Sequence, residues 1–369
     1  MKSNRNLIPW AKQVLIIAVT LLLVIYIPVY QACTSRLETE HPSSVTIVAV
    51  GDTNGYNILQ SGKNQEDPLQ GVKGLLGKQD IFVFNFEGVL LSEDAPTGIC
   101  HKFPQQSLFW SFPQIADFLH PTQYTIATLA NNHILDCGSY GIQETIRELT
   151  SRGILTVGAG ENSQLACQPI RLRVNGISLV VTSYLAIEPN PFSAGPNTAG
   201  AATWEECSEK GQLAELAATG DIIIVALHLH LGQGWTDQPP SDHITLIQRV
   251  LGAGADIVIA HGPHIPQGIM VSDGRIALLS LGNFLFRPDY QMPKEAHQTI
   301  MAKVTISPDS LSLALLPLIL DDSGRPRVPP PKEASQILRH IADLSAEFGT
   351  TIKIREQTGY ITVPRQTHS

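Results

Sequence analysis

Short runs of β-branched and other apolar residues recur along the chain after position 44. Each run is followed by a polar or glycine-rich corner and then by a stretch with helical spacing. Alternation of this kind is typical of an α/β fold, in which strands and helices follow one another. The pattern predicts strands at Val45–Val50, Asp80–Phe86, Tyr124–Ala130, Ile177–Ser183, Asp221–Leu227, Asp256–Ala260 and Ile276–Leu281.

Two helices between these strands have clear boundaries in the sequence. One begins near Ser139 and repeats apolar residues at positions 142, 146 and 149, which places them on one face. The other begins at Ser241, after two prolines, and ends at Gly252. A serine at the start and a glycine at the end are the residues that helix termini prefer.

The pattern of apolar and polar residues changes near residue 306. A strand is predicted at Leu311–Leu320, a proline-rich connection at Arg325–Pro331, an amphipathic helix at Lys332–Phe348 and a final strand at Ile352–Val363. We read this stretch as an extension that packs on the main domain. The predicted organisation is therefore a leader and linker over 1–44, a main domain over 45–305 and a C-terminal extension over 306–369.

The apolar segment Val14–Tyr30 follows three basic residues, and the first 37 residues contain no acid. This is the charge layout of an export signal or a signal anchor. The body is expected outside the cytoplasm, held at the cell membrane by a single N-terminal span or by a lipid on Cys33; cleavage of the segment is the alternative. A buried core helix fits less well, because the segment is apolar on all faces.

Composition and charge exclude several classes of protein. With 43% hydrophobic and 16% charged residues, the chain has enough apolar residues to form a large core. A net charge of −8 gives no basic field for binding phosphates, so no nucleic-acid partner is expected. Only one apolar run in the sequence is long enough to be a candidate membrane-spanning helix, which argues against a multi-span transporter.

The five cysteines leave their pairing open. With Cys33 set aside, four remain, at positions 100, 137, 167 and 207. In an oxidising compartment they would form two disulfides in one of three connectivities. The alternative is four isolated core thiols.

A metal-competent side chain follows each of five predicted strands. In open α/β sheets ligands bind beyond the carboxyl ends of the strands, because the chain segments diverge there and leave a crevice. Taken singly, each residue also has a structural interpretation, such as a turn for Asp52 or a solvated carboxylate for Glu87. If the five ends converge, they bring together enough donors for two metal ions: Asp52, Glu87, Asn132, His133, His228 or His230, His261 and His264.

This mixture of donors indicates a particular chemistry. Carboxylate, amide oxygen and imidazole suit Mn, Fe, Zn or Mg, and the absence of a Cys-x-x-Cys pair argues against structural zinc. Two ions roughly 3.5–4 Å apart hold both the attacking and the leaving oxygen of a displacement at phosphorus. The sequence also lacks phosphate-loop, serine-hydrolase, zinc-peptidase and dinucleotide motifs. Hydrolysis of a phosphoester is therefore the favoured reaction, with two divalent ions as cofactors.

Several motifs follow one another in a recognisable order: Gly51-Asp52, Asn85-Phe86-Glu87-Gly88, Ala130-Asn131-Asn132-His133 followed by Asp136 and Gly138, His230-Leu231-Gly232, Gly254-Ala255-Asp256, His261-Gly262-Pro263-His264 and Ser280-Leu281-Gly282-Asn283-Phe284. Over roughly Val45 to Val304 this series resembles the CapA family of poly-γ-glutamate capsule biosynthesis proteins. The resemblance implies a metallophosphoesterase-like α/β/β/α sandwich, a membrane-anchored body, and a part in poly-γ-glutamate synthesis, export or attachment within a synthase complex.

The motifs and the strand ends together assign the site. The expected metal ligands are Asp52, Glu87, Asn132, His133, His228, His261 and His264; the expected catalytic residues are Asn132, His133 and His230; Asn54, Asn85 and Asn283 are expected to line the pocket. The chain departs from the family where the glutamate that usually follows the His-x-Gly motif is missing. Counted from the start of the strand, His228 takes the position of the family's histidine instead of His230.

Two other functions remain open at this stage. One is a general extracytoplasmic metal-dependent phosphatase or phosphodiesterase that acts on no polymer. The other is a non-catalytic scaffold that binds polymer or partner proteins through an inherited fold. Metal content and turnover of small esters separate these alternatives from the capsule hypothesis.

Overall fold

A computed structural model describes residues 44–56, 58, 66–100, 108–186, 191–208, 211–229, 235–287 and 292–365. The apolar segment Val14–Tyr30, Cys33 and His230 lie outside these residues. Within the described ranges, none of the helices is both long enough and apolar enough to cross a bilayer.

The strands, numbered in chain order, are β1 Val45–Thr53, β2 Ile81–Phe86, β3 Val89–Leu90, β4 Trp110–Ser111, β5 Tyr124–Thr128, β6 Leu155–Val157, β7 Ala159–Gly160, β8 Ile170–Val174, β9 Ile177–Leu185, β10 Gly200–Ala201, β11 Ile222–His228, β12 Ile257–His261, β13 Ile269–Ser272, β14 Arg275–Leu278, β15 Asn283–Leu285, β16 Gln298–Ile306, β17 Ser310–Leu320, β18 Pro326–Arg327, β19 Lys353–Arg355 and β20 Thr358–Pro364. The α-helices are α1 Gly138–Ser151, α2 Ser163–Ala166, α3 Gln212–Ala217, α4 Ser241–Gly252 and α5 Pro331–Ala346. Short 3-10 turns cover Gln70–Leu75, Pro113–Asp117 and Lys294–His297, and a π turn covers Trp204–Ser208.

The larger sheet has the order β19-β20-β17-β16-β1-β2-β5-β6, with β15 added beside β1 and β18 beside β17. Strands β1, β2, β5 and β6 are parallel, whereas the strands from β16 to β19 extend the sheet in antiparallel pairs. The parallel half therefore has one edge at which the strands' carboxyl ends meet.

The smaller sheet has the order β13-β14-β12-β11-β9-β8. Its central strands β9, β11, β12 and β14 are parallel, and an antiparallel strand closes each side. The parallel strands are almost entirely apolar and buried, as expected for strands covered on both faces.

Three apolar clusters define the order of the layers. The first lies between the sheets and joins side chains such as Val83 of β2 to Ile224 of β11. The second joins the other face of the larger sheet to α1 through residues such as Ile142. The third joins the outer face of the smaller sheet to α3 and α4 through Leu213 and Ile247. The predicted α/β/β/α sandwich is thus confirmed.

The C-terminal strands and α5 belong to the same body. Strand β17 pairs with β16 and β20, and the apolar face of α5 joins the cluster between the sheets. The predicted single final strand is wrong in detail, because β19 and β20 form a hairpin whose turn includes Glu356 at φ 52°. Strands β15 and β16 were not predicted from the apolar pattern, and a two-residue strand, β18, lies in the proline-rich connection.

The four remaining cysteines form two disulfides, Cys100–Cys137 and Cys167–Cys207. This result selects one of the three connectivities left open by the sequence. Cys137 directly precedes α1, so the first disulfide ties residue 100 to the start of that helix. The second joins the end of α2 to the π turn beside the smaller sheet.

Candidate metal centre

The site forms where the carboxyl ends of parallel strands from both sheets meet. Asp52 lies near the end of β1, and Glu87 directly follows β2. In the smaller sheet His228 ends β11 and His261 ends β12, and the two are register partners. The loop after β5 adds Asn132 and His133, and the turn after β12 adds His264.

A carboxylate oxygen of Glu87 lies at the centre of three imidazoles. Its Oε1 is 3.9 Å from Nε2 of His133, 3.8 Å from Nε2 of His228 and 3.7 Å from Nε2 of His264. Glu87 has no exposed surface, and these histidines are at most 6% exposed. The strand ends therefore converge as the sequence predicted, into a site shielded from bulk water.

Asp52 forms the second group of contacts. Its Oδ1 lies 3.4 Å from Nδ1 of His261, and its Oδ2 lies 3.3 Å from Nδ1 of His264. The backbone N–H of Gly262 donates to the same Oδ2 at 3.3 Å. Asp52 and Glu87 thus share His264 as a neighbour, and ligand atoms of these three residues lie within 4.8 Å of one another.

Two close backbone approaches fix the positions of these groups. Asp52 N–H donates to the carbonyl oxygen of Gly282 at 2.9 Å, and a Cβ on Gly51 would overlap that oxygen. Beyond β12, Gly262 has φ 109°, and a Cβ there would overlap the carbonyl oxygen of Leu229. His264 itself has φ 59°, a left-handed conformation that is uncommon for a residue with a side chain.

Side chains behind the imidazoles orient two of them. Asp136 Oδ2 is 2.9 Å from Nδ1 of His133, and Asn283 Oδ1 is 2.8 Å from Nδ1 of His264. Asn283 also donates through Nδ2 to the carbonyl of Ala296 at 3.2 Å, which fixes its oxygen toward the ring. Because both acceptors face Nδ1, the proton of each neutral ring resides there and the Nε2 lone pair faces Glu87.

An amide network links the strand ends. Asn85 Nδ2 donates to Asp52 Oδ1 at 2.8 Å and lies 3.3 Å from Nδ1 of His228. Asn131 donates to Asn85 Oδ1 at 3.2 Å and to the carbonyl of Phe86 at 2.7 Å. The same Asn131 accepts from the backbone N–H of His133 at 3.1 Å. The buried amides thus hold β2 and the loop after β5 in one arrangement.

Burial and charge shift the pKa values of three groups in opposite directions. Burial alone would raise the pKa of Asp52, but hydrogen bonds and the charges of His261 and His264 hold it well below its usual range. Burial raises the pKa of Glu87 to about 8, against the opposing effect of His264. Burial disfavours the charged form of His264, yet Glu87 and Asp52 raise its pKa to about 9.

The residues present fit a bound cation. Both carboxylate oxygens of Glu87 and Oδ1 of Asn132 are buried without a hydrogen-bond partner among the residues the structure describes. A buried polar atom without a partner is costly, and a divalent cation satisfies such oxygen atoms. The donor set of carboxylate, amide and imidazole suits Mn, Fe, Zn or Mg.

The structure assembles most of the predicted site residues through direct contacts: Asp52, Asn85, Glu87, His133, His228, His261, His264 and Asn283. Asn132 is also buried, next to His133 in the chain. Asn54 is buried, and its Oδ1 accepts from the N–H of Tyr56 at 2.9 Å, so that oxygen supports the turn after β1. His230 lies outside the described residues.

Sequence reasoning gave no role to several residues that surround the donors. The sequence places Asn131 and Asp136 in motifs without indicating a role for them, and no local pattern indicates Phe109. Phe109 follows a sequence stretch without periodicity, and its ring centroid lies 4.2 Å from that of His133. The spacing of Asp136 three residues after His133 is the one signal that could have indicated its role.

An α/β/β/α sandwich with carboxylate and imidazole donors at the meeting carboxyl ends of its two sheets defines the metallophosphoesterase-like class of fold. Residues 46–288 match the family described as "Bacterial capsule synthesis protein PGA_cap". The chain belongs to this family, and the resemblance expected from the motifs is confirmed. The matched region contains every predicted site residue.

Two relatives carry capsule-related names. The chain is 30% identical over 169 residues to the "PGA biosynthesis protein CapA" of Bacillus subtilis (strain 168), an alignment that covers 46% of this chain and 44% of that protein. It is 27% identical over 181 residues to the "Capsule biosynthesis protein CapA" of Bacillus anthracis, covering 47% and 43%. The chain thus spans less than half the length of these two curated relatives.

Among solved structures, the NAD nucleotidase of Haemophilus influenzae aligns with a TM-score of 0.40 and 12% identity, over 80% of this chain and 55% of that one.

Proposed function

We propose that this protein is exported and anchored at the membrane by its N-terminal segment, and that its body carries a two-metal hydrolase-type site that takes part in poly-γ-glutamate capsule synthesis, export or attachment. The observation that carries the proposal is the convergence of Glu87 and Asp52 with buried imidazoles, where both oxygens of Glu87 lack a hydrogen-bond partner within the described part of the chain. A purely structural role would leave that carboxylate unsatisfied.

The ions would be held by side chains from both sheets: Asp52, Glu87, Asn132, His133, His228, His261 and His264. When bound, divalent ions supply Lewis-acid activation and neutralise charge that develops at a reacting phosphoryl group. Asp136 and Asn283 act behind the ligands, since each keeps the proton of one imidazole on Nδ1 and turns Nε2 toward the centre. The burial of all these groups excludes bulk water and strengthens their electrostatic effect.

Features outside the metal centre support the polymer and the location. The names of the Bacillus relatives connect the family to poly-γ-glutamate capsule synthesis, and we extend that role, including association with a synthase complex, to this chain. The basic and then apolar pattern up to Tyr30 supports export. The two disulfides support it independently, because such bonds persist mainly in oxidising compartments.

Metal analysis of the purified full-length protein tests the centre. We expect between one and two divalent ions per chain, and we expect the double variant His133→Ala with His264→Ala to lose them. The matched control is His120→Ala with His340→Ala, since both of these histidines are exposed. Full metal content in the first double variant would refute the assignment.

Turnover and complementation test the function. With Mn added, the protein should hydrolyse members of a panel of small phosphomonoesters and phosphodiesters, and Glu87→Gln should abolish the activity. In a strain that lacks the gene, the same variant should fail to restore surface polymer. No turnover together with full complementation by Glu87→Gln would instead indicate a scaffold.

A further inference from the structure

The approach to the metal centre is restricted to one side. Asp52 and Glu87 have no exposed surface, and His228 and His261 are each 2% exposed. Among the histidines of the centre, His133 and His264 retain the largest exposed fraction, at 6% each. Because a substrate reaches the centre where its ligands meet solvent, the entry lies beside these two rings.

Aromatic side chains pack against these two imidazole rings. The ring centroid of Phe109 is 4.2 Å from that of His133, and the centroid of Phe286 is 5.0 Å from that of His264. Phe109 and Phe286 meet edge to face at 5.3 Å, and Tyr56 lies 6.0 Å from Phe109. We call Tyr56, Phe109 and Phe286 the aromatic rim.

Backbone contacts fix the position of the rim. The N–H of Phe109 donates to Asp136 Oδ2 at 2.6 Å, the oxygen that also contacts His133. The carbonyl of Phe109 accepts from the N–H of Val89, two residues after Glu87, at 3.0 Å. The N–H of Phe286 donates to the carbonyl of Gly324 at 3.0 Å. The rim is therefore preorganised relative to the ligands.

The chemistry of the rim indicates what it contacts. None of its three side chains is charged. Tyr56 and Phe109 are partly exposed, whereas Phe286 is buried and supports Phe109 from the interior. Flat apolar faces next to a reacting centre favour a planar group over an aliphatic one, because aromatic pairs gain from stacked or edge-to-face contact. A substrate bound at the centre would bring the group attached to its phosphorus against this surface.

We propose that the aromatic rim is a binding subsite for a planar apolar group carried next to the reacting phosphoryl group of the substrate. This inference rests on the proposed function, since it takes the phosphoryl group to bind at the metal centre. It narrows the substrate class from phosphoesters in general to those with an aromatic or similarly flat substituent at phosphorus. It gives Phe109 two roles, packing on a ligand and contacting the substrate.

Binding of two small phosphonates to the manganese-loaded full-length protein tests the proposal. Phenylphosphonate and methylphosphonate share the metal-binding group and differ in the flat substituent. Titration calorimetry should give an affinity about five- to tenfold tighter for phenylphosphonate. In Phe109→Leu the ratio of the two affinities should fall to about one, because leucine keeps apolar volume and lacks a flat face. Tyr56→Leu should lower the ratio by a smaller factor.

Phe112 provides the matched control, because it lies three residues farther along the same segment and packs edge to face on Trp110 instead of on a ligand. Phe112→Leu should keep the wild-type ratio. Equal affinities for the two phosphonates in the wild-type protein would overturn the rim proposal alone. An unchanged ratio in both Phe109→Leu and Tyr56→Leu would overturn it as well. Failure of both phosphonates to bind the metal-loaded protein would overturn the proposed function itself.

Discussion

Asp136 is not one of the predicted metal ligands, yet it contacts two parts of the site. One carboxylate oxygen accepts from the backbone N–H of Phe109 and lies 2.9 Å from Nδ1 of His133. Residues that hold the far nitrogen of a ligating histidine set the ring's orientation and basicity. Asp136 is therefore a positioning residue for His133.

We expect Asp136→Ala to weaken metal binding by about 10- to 100-fold while the protein remains folded. The His133 ring loses the acceptor that keeps its Nε2 directed at the centre. Equilibrium dialysis with Mn or Zn measures the change. Asp117→Ala is the control, since Asp117 pairs with Arg152 at the surface. Equal metal affinity in the Asp136 variant and the wild type would contradict this role.

His243 offers a pH-dependent test away from the metal centre. It is 7% exposed in α4, and burial lowers its pKa although the charge of Asp242 opposes the shift. A lowered pKa means that the folded state favours the neutral ring. The stability that this group contributes is therefore present above its unfolded pKa of about 6.5 and is lost as the pH falls through the folded value.

Replacing His243 by Leu removes this dependence. The free energy of unfolding of wild type minus that of His243→Leu should decrease as the pH falls from 8 to 5, because only the wild type must protonate a buried ring. Urea unfolding of both proteins at several pH values measures this difference. His120→Leu should leave the corresponding difference flat, since that ring is exposed. A constant difference for His243→Leu would contradict the argument.

At the scale of elements, the parallel pairing of β1 with β15 positions two site residues. Asp52 and Asn283 are register partners, and the two strands approach closely because Gly51 lies against the backbone of Gly282. Gly282 has φ 79°, which favours glycine at that position. The spacing between the strands thus depends on the absence of a side chain.

Gly51→Ala should destabilise the protein by about 3 kcal/mol, because the added methyl group meets a backbone carbonyl that cannot move aside. Urea unfolding measures the change. Gly74→Ala is the matched control: a Cβ there has open space within 4 Å, and it should change the free energy of unfolding by less than about 1 kcal/mol. Similar values for the two variants would contradict this account.

The sequence predicted those strands whose apolar runs end in a polar turn. Strands β2, β11 and β12 are buried throughout, and β1 and β5 are buried except at Thr46 and Tyr124, so each appears as a largely apolar run. Strand β16 was missed because Lys303 and threonines interrupt its apolar positions. The contact of Phe109 with Asp136 joins residues 27 apart across a loop, and no local pattern encodes it. Long-range side-chain contacts of this kind require the fold.

At the scale of the whole molecule, the two disulfides close loops of similar length, with separations of 37 and 40 residues. Such loops restrict the unfolded chain by about 3–4 kcal/mol each. Their locations differ: Cys137 is adjacent to Asp136 in the chain, whereas Cys167 and Cys207 flank the smaller sheet. Each disulfide therefore serves as a control for the effect of the other on the metal centre.

Replacing either cysteine pair by serine should lower the free energy of unfolding by a similar amount. Only the change at Cys100 and Cys137 should also reduce metal affinity, because it releases the segment that carries Asp136. Thermal unfolding and metal titration of the two double variants measure both effects. Equal metal affinity in the two variants would show that the first disulfide does not support the site.

The donors come from both sheets: Asp52, Glu87 and His133 lie at or after the ends of strands of the larger one, and His228, His261 and His264 lie at or after the ends of strands of the smaller one. The spacing of the centre is thus also the spacing of two layers that meet mainly through apolar packing. An inhibitor need not enter the centre to disable it. A compound that wedges the layers apart anywhere along their shared interior would pull one half of the donors away from the other.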